Sequence, residues 1–382
     1  MTPRKLVTAA IPVLALLLLG AASAGASARR VPPGFYGVNW DRSITYASDQ
    51  KIRSRQWHDM ATGGVESART PFEWYIAQPD EHGPFNFTRT DNRVSLALSH
   101  GIDLLPVVIA APPWARQGID AEAPPRDPKE YCDYLRALIA RYGPNGTFWT
   151  LHPMLPVRPI RIWQIWNEVS EPYQWTIKKG QDWAPGYGEL LRAAYDAIKA
   201  ADPGAKVVLA GFPNRSWEHL DHLYQKGNIA GHFDIAAVHP FTAHAKGVVK
   251  IVKRFEAVLR KHGDAAKPLW ATEIALPAGL GGYRAKTSLI TTNTGMARFL
   301  TAAYSRLIAA RKNRSTRVER AYWYTWGSSY TQRRELFDYT GLVAYNRRHG
   351  KDTLKTRPAK AAYRRSALAA EGCRKTASAV CR

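Results

Sequence analysis

Eight short apolar runs, each followed by a longer stretch with apolar residues at three-to-four spacing, set the architecture open to this chain. The runs are FYGVNW (35–40), VESARTPF (65–72), DLLPVVIA (103–110), RIWQIWNE (161–168), KVVLAGF (206–212), FDIAAVHPF (233–241), PLWATEIA (268–275) and AYWYTWG (321–327). A strand buried on both faces reads as such a run, and an amphipathic helix between two of them lets consecutive strands lie parallel. Eight β/α units in roughly 340 residues fit a single closed (β/α)₈ barrel better than an open doubly wound sheet. No glycine-rich phosphate turn follows the first run, which also argues against the open sheet.

The intervening segments carry helical periodicity, as in Leu190, Leu191, Ala194, Tyr195 and Ile198, or Val248, Val252, Phe255 and Leu259. Gly101, Gly143, Gly204 and Gly263 stand just ahead of later runs, where a left-handed helix terminus is expected. Pro106 counts against the third strand, because proline removes a ladder donor. A last helix is expected from Arg357 to Ala370, opened by Pro358 and closed by Gly372. Residues 29–372 thus read as one domain, with a basic tail at 373–382.

Residues 1–28 begin with Arg4 and Lys5, pass through an apolar stretch ending LALLLLG and finish Ala26-Ser27-Ala28. This is the pattern of a secretory leader, with cleavage expected after Ala28 or, alternatively, Ala24. The mature chain is then expected to be secreted, soluble, monomeric and without a membrane span. Three cysteines are few for an exported protein. Cys373 and Cys381 stand close enough in sequence to pair, whereas Cys132 falls on an amphipathic helical pattern and reads as a packed thiol. No cysteine–histidine spacing resembles a zinc site, and no metal or cofactor is expected.

Formal net charge is +23, and removing Arg4 and Lys5 with the leader leaves +21. On an exported protein such an excess points to an anionic or cell-envelope glycan, or else to a basic solvated surface without a partner. No Lys/Arg block is interleaved with aromatics as a nucleic-acid groove requires, so no nucleic-acid partner is expected.

Chemistry on a barrel sits where strands end and βα loops begin. Two carboxylates close otherwise apolar runs, Glu168 after Asn167 in RIWQIWNE and Glu273 in PLWATE. A carboxylate there costs desolvation energy unless it is paired or used. Two carboxyls about 5 to 5.5 Å apart can cleave a glycosidic bond with retention, one attacking the anomeric carbon and the other protonating the leaving oxygen. Either glutamate alone reads equally as half of an ion pair with an arginine.

Almost the whole mature chain resembles the clan of retaining glycoside hydrolases that includes the cellulase-like family 5 and the β-xylosidase-like family 39. The segments that carry the resemblance are ARTPFEWYIAQP, FNFTRTDNRVSLALSHGIDLLPVV, APPWA, WNE, HPF, ATE and WYTWG. The resemblance implies a glycosidase acting on a poly- or oligosaccharide, with Glu168 as acid/base and Glu273 as nucleophile. It further implies that Asn167 binds the sugar 2-hydroxyl and Arg69 holds Glu273 ionised. His239 would bind substrate or orient the pair, and Trp326, Trp114 and Trp40 would be sugar platforms, Trp326 under the sugar being cleaved. Phe241 departs from the pattern, since family 5 members commonly carry a tyrosine there; Tyr324 is a substitute hydroxyl.

Two other readings remain open on sequence. One is a barrel without turnover that binds carbohydrate or the cell envelope; the other is a metal-dependent hydrolase using His239 and further histidines at the barrel mouth. Loop shape sets the sugar, the linkage and end-wise or internal attack. The segments 143–159 and 279–292 carry no motif that names them.

Overall fold

The protein is described by a computed structural model covering residues 28–41, 50–328, 335–348 and 351–372. Residues 1–27, where a leader is expected, and Cys373, Cys381 and the rest of 373–382 lie outside the described residues. Every expected strand forms: β1 (Tyr36–Asn39), β2 (Ser67–Glu73), β3 (Asp103–Ile109), β4 (Ile162–Ile165), β5 (Lys206–Val208), β6 (Ala236–Val238), β7 (Leu269–Ile274) and β8 (Val318–Trp323). They form one parallel sheet in the order β5-β4-β3-β2-β1-β8-β7-β6. Bridges Val208–Ile235 and Phe212–Val238 close the ring between β5 and β6. The result is a (β/α)₈ barrel.

The outer helices are Gln50–Thr62, Thr88–Ser99, Pro128–Tyr142, Trp183–Ala201, Ser216–Gly227, Ala245–Lys261, Asn293–Lys312 and Pro358–Glu371. Helix Ala245–Lys261 shows why they form. Val248, Val252, Phe255 and Leu259 make one buried stripe while the lysines and arginines between them face outward. Each such side chain contributes roughly 1.5–3 kcal/mol through burial. Alternate strand residues divide between two cores. Leu105, Val208, Ala237, Trp270 and Tyr322 fill the barrel, and their neighbours, such as Ala236, Val238 and Ala271, pack outward under the helices.

Four expectations meet a different or sharper outcome. Gly101 and Gly263 take left-handed conformations (φ 66° and 83°), but Gly143 has φ −71°. Glycine is needed there because a Cβ would stand 2.5 Å from the carbonyl oxygen of Ile139; at Gly204 a Cβ would stand 2.0 Å from the Arg161 guanidinium, which would have to move aside. Pro106 sits inside β3 opposite Thr70 of β2, and β4 pairs only from Val107 onward, so the missing N–H falls ahead of that second ladder. A three-stranded sheet of β9 (Gly327–Ser328), β10 (Val343–Arg348) and β11 (Lys351–Thr356) intervenes before the last helix. Cys132 is buried, and burial pushes its thiol up to about 11, as suits a packed side chain. Among the described residues no helix is long and apolar enough to cross a membrane.

Candidate active site

The barrel mouth is organised around a buried arginine. Arg69 on β2 donates from Nη1 to Glu273 Oε1 and to Asn39 Oδ1, each at 2.7 Å. Its Nη2 donates to Asn167 Oδ1 at 2.6 Å and its Nε to Gln164 Oε1 at 2.7 Å. The amides that receive it are fixed in turn: Asn39 Nδ2 donates to the Thr272 carbonyl and Gln164 Nε2 to the Leu209 carbonyl, both at 3.0 Å. Four oriented acceptors from β1, β4, β7 and the loop after β4 thus satisfy one guanidinium, which is what permits a charge to stay buried.

Glu273 lies on β7 and is 5% exposed; Glu168 lies two residues past Trp166 at the end of β4 and is 7% exposed. Trp166 and Glu168 both have left-handed backbones (φ 63° and 43°), a conformation that costs on the order of 1–3 kcal/mol at a non-glycine residue. The turn is held by Trp166 N–H to the Val108 carbonyl and Glu168 N–H to the Gly211 carbonyl, each at 3.1 Å. This strained turn aims the Glu168 carboxyl across the mouth.

His239, just past β6, is completely buried and stands between the two glutamates. Its Nδ1 is 2.6 Å from Glu168 Oε1 and its Nε2 is 3.7 Å from Glu273 Oε1. Glu168, His239 and Glu273 each bring an N or O atom within 4.8 Å of the others. Gly211 leaves room for the ring, since a Cβ there would fall 1.8 Å from His239 Nε2. The Tyr173 hydroxyl reaches Glu168 Oε2 at 3.4 Å.

Burial pushes His239 down to about 3, so the imidazole is neutral at ordinary pH. Burial also pushes Glu273 up to about 7, against the pull of His239 and Arg69, with the charge of Glu168 adding to the rise. Arg69 thus acts on Glu273 in the expected direction, lowering the value, while desolvation acts against it. The part due to Glu168 vanishes whenever Glu168 is the protonated partner.

The acid–imidazole cluster does not suit a metal ion. Arg69 Nη1 already occupies Glu273 Oε1 at 2.7 Å, and a fixed positive charge there opposes a second cation.

Asn39, Arg69, Asn167, Glu168 and Glu273 line a cavity of about 680 Å³ together with Asp41, Tyr173, Tyr283, Tyr324 and Phe337, while His239 and Gln164 lie beneath its wall. The charged lining among the described residues is Asp41, Glu168, Glu273 and Glu335 against Arg69 alone, so the basic excess of the chain is not expressed there. Three aromatic assignments are revised. Trp326 is 1% exposed and donates to Gln56 Oε1 at 3.0 Å, Trp40 is 2% exposed against Trp57, and neither lines the cavity. Trp114 is half-buried outside the lining, packed edge-on against Trp74. Trp40 and Trp326 belong to the core beneath the helices, and Trp114 packs against that core from a loop. Tyr324 occupies the cavity position after β8 that Trp326 was expected to hold. Asn39, Gln164 and Tyr173 were missed; for the first two the signal was present, a lone polar amide inside an apolar run.

No family model matches the chain, and no curated protein matches it. Solved structures do. It is similar to a glucosidase from Croceicoccus marinus at 15% identity and TM-score 0.62, covering 90% of this chain and 69% of that one. It is similar to a family 39 glycoside hydrolase from Bacteroides cellulosilyticus at 16% identity and TM-score 0.60, covering 89% and 64%, so it spans about two thirds of either protein. Against GH5_18 from Streptomyces cattleya, solved with GlcNAc, identity is 18% and TM-score 0.63, covering 89% and 80%. What the chain shares with these proteins is the (β/α)₈ barrel.

Proposed function

We propose that the protein is a secreted, monomeric retaining glycoside hydrolase acting on an O-glycosidic bond of an oligo- or polysaccharide. The observation that carries this is the convergence of Glu168 and Glu273 on one cavity, with one carboxyl oxygen of each within 4.8 Å of the other. That spacing suits direct attack by one carboxylate; the separation of about 6.5–9.5 Å used in inversion leaves room for a water between them.

Glu273 attacks the anomeric carbon while Glu168 gives its proton to the departing oxygen, forming a glycosyl ester on Glu273. Glu168, now ionised, takes a proton from water, which attacks the same carbon and restores Glu273. Arg69 keeps Oε1 of Glu273 in place, and Asn167, fixed by Arg69, presents its amide to the sugar 2-hydroxyl. The tyrosines 173, 283 and 324 supply rings and hydroxyls for the sugar faces. The acidic lining favours a neutral sugar at the point of cleavage, with any anionic part of the glycan bound outside it.

The test is incubation with activated 2-deoxy-2-fluoro glycosides of the gluco, manno and xylo series, read by intact and peptide mass spectrometry. A stable adduct on Glu273 is expected. Hydrolysis of the matching unfluorinated glycoside that survives Glu273→Ala refutes the assignment. Binding to glycans with no turnover on any of a broad panel would instead favour a non-catalytic barrel.

A further inference from the structure

The basic excess that is absent from the barrel mouth has a definite place on the outer wall. Three helices that pack in sequence round the barrel, Ala245–Lys261, Asn293–Lys312 and Pro358–Glu371, carry thirteen lysines and arginines against two glutamates. Both of those glutamates, Glu256 and Glu371, are buried. The other five outer helices carry eleven basic residues against eight acidic ones. Charge that served solubility alone would be mixed in sign over all eight helices, and here it is gathered on one side.

Helical geometry sets these cations in rows. Arg254 lies over the Trp217 ring at 4.6 Å and Lys261 pairs with Asp221 at 2.7 Å, so one flank of Ala245–Lys261 faces the helix Ser216–Gly227. Lys246, Lys253 and Arg260 repeat every seven residues on the opposite flank, about 10 Å apart, exposed and turned towards Asn293–Lys312. Arg306 faces them from that helix, because Thr301, Ser305 and Lys312 occupy its other flank, along a groove of about 690 Å³ against the last helix. Arg30, Lys312 and Arg365 edge that groove, and among the described residues no carboxylate lines it. Lys246, Lys250, Lys253 and Arg306 make no ion pair among the described residues. Cations about 10 Å apart stand near one Debye length from each other, ~8 Å at 0.15 M salt, so their potentials add where isolated ones would be screened.

We propose that this wall is a docking face for an acidic polysaccharide, a polyuronate in chemistry, which keeps the protein on the polymer while a neutral stretch of sugar enters the mouth. The choice of a polysaccharide rests on the glycosidase reading; the sign of the partner's charge does not. The large apolar side chains exposed elsewhere, such as Ile119, Met154 and Leu280, have no counterpart on these three helices, so the face offers nothing to insert into a lipid surface. The positions between the cations are small, Ala257, Ala302, Ser305 and Ala309, and supply no aromatic ring on which a base could stack. What remains is charge in rows, the hydroxyls of Thr301 and Ser305 at the groove, and small side chains that let a polymer lie close. The acidic cavity lining is the complement of this face: carboxylates are repelled at the mouth and held on the wall.

Binding of the whole protein to polygalacturonate, with dextran as the neutral control, needs no turnover and so tests this inference apart from the glycosidase reading. At 0.15 M salt the wild-type protein is expected to bind polygalacturonate and not dextran, and to bind it roughly tenfold more tightly at 0.05 M. Lys246→Glu, Lys250→Glu, Lys253→Glu and Arg306→Glu together should weaken binding at 0.15 M roughly thirtyfold or more. Lys129→Glu, Arg136→Glu, Lys178→Glu and Lys179→Glu change the net charge equally on the side of β3 and β4, and should weaken it less than about threefold, because distant charges are screened. If the first variant does not fold, acetylation of the wild-type protein read by peptide mass spectrometry carries the test: polygalacturonate should shield Lys246, Lys250 and Lys253 and leave Lys129 and Lys178 as reactive as before. Wild-type protein that does not bind polygalacturonate, including protein that binds duplex DNA instead, would overturn the proposal. So would equal losses in the two variants, or shielding spread over both sides of the barrel.

Discussion

The mouth of the barrel keeps a proton that the unfolded chain releases, so Glu273→Gln should change how stability depends on pH. Glu273 titrates at about 7 in the folded protein against an ordinary value of 4.5, and because it is coupled to Glu168 this value describes the pair. Between those two values the folded state holds more protons than the unfolded one. Stability therefore falls as pH rises from about 4.5, and the loss is complete above about 7. A carboxyl held from 4.5 up to about 7 corresponds to a loss of roughly 3–4 kcal/mol. With ~2.1 cal/mol/K of unfolding entropy per residue over about 340 residues, this is ~5 °C in Tm. Glutamine preserves the shape of Glu273 and removes its titration. Thermal melts of both proteins from pH 4.5 to 8 should show the wild-type Tm dropping by ~5 °C relative to the variant. Parallel curves would refute the claim that burial governs this carboxyl.

Arg69→Ala strips Glu273 of its buried partner at 2.7 Å, which should cost about 3–5 kcal/mol of stability by denaturant unfolding. In Arg69→Lys, which keeps one donor, the acid limb of kcat/KM should move to higher pH, because the three amide contacts and part of the cationic pull on Glu273 are lost. Gly211→Ala must push the His239 ring aside, since its Cβ would lie 1.8 Å from Nε2; a fall in kcat/KM of about 10²-fold is expected, measured beside an unchanged circular dichroism spectrum. Trp326→Phe removes an indole that donates to Gln56 inside the core, so Tm should fall while KM stays at its wild-type value. Glu168→Ala should lose about 10²–10⁴-fold on glycosides with poor leaving groups and much less on dinitrophenyl glycosides, which need no acid.

The barrel was legible because strand and helix follow from periodicity, a local property. All eight strands formed where apolar runs had placed them, and Pro358 and Gly372 bounded the last helix as helix chemistry requires. The sheet β9–β11 was not legible, since β10 and β11 include the charged stretches YNRR and KDTLK and β11 is largely exposed. Glu168 and Glu273 stood out as carboxylates ending apolar runs, whereas Arg69, Asn167 and His239 were singled out by the resemblance; the structure brings all five side chains together. The tryptophans were misjudged for a related reason. Position near a strand end does not say whether a side chain turns into the mouth or back under the helices, and Trp40 and Trp326 turn back. Nor does sequence weigh burial against an ion pair, which is why the titration of Glu273 runs opposite to what Arg69 alone suggests.

The stereochemistry of the first product tests the account most directly. With a glycoside that the protein cleaves, ¹H NMR in the first minutes resolves the anomeric proton of the released sugar before mutarotation. Two carboxyls on one cavity, one oxygen of each within 4.8 Å of the other, predict a product with the anomeric configuration of the substrate. Release of the opposite anomer would show that water attacks directly, and Glu273 would then not be the nucleophile.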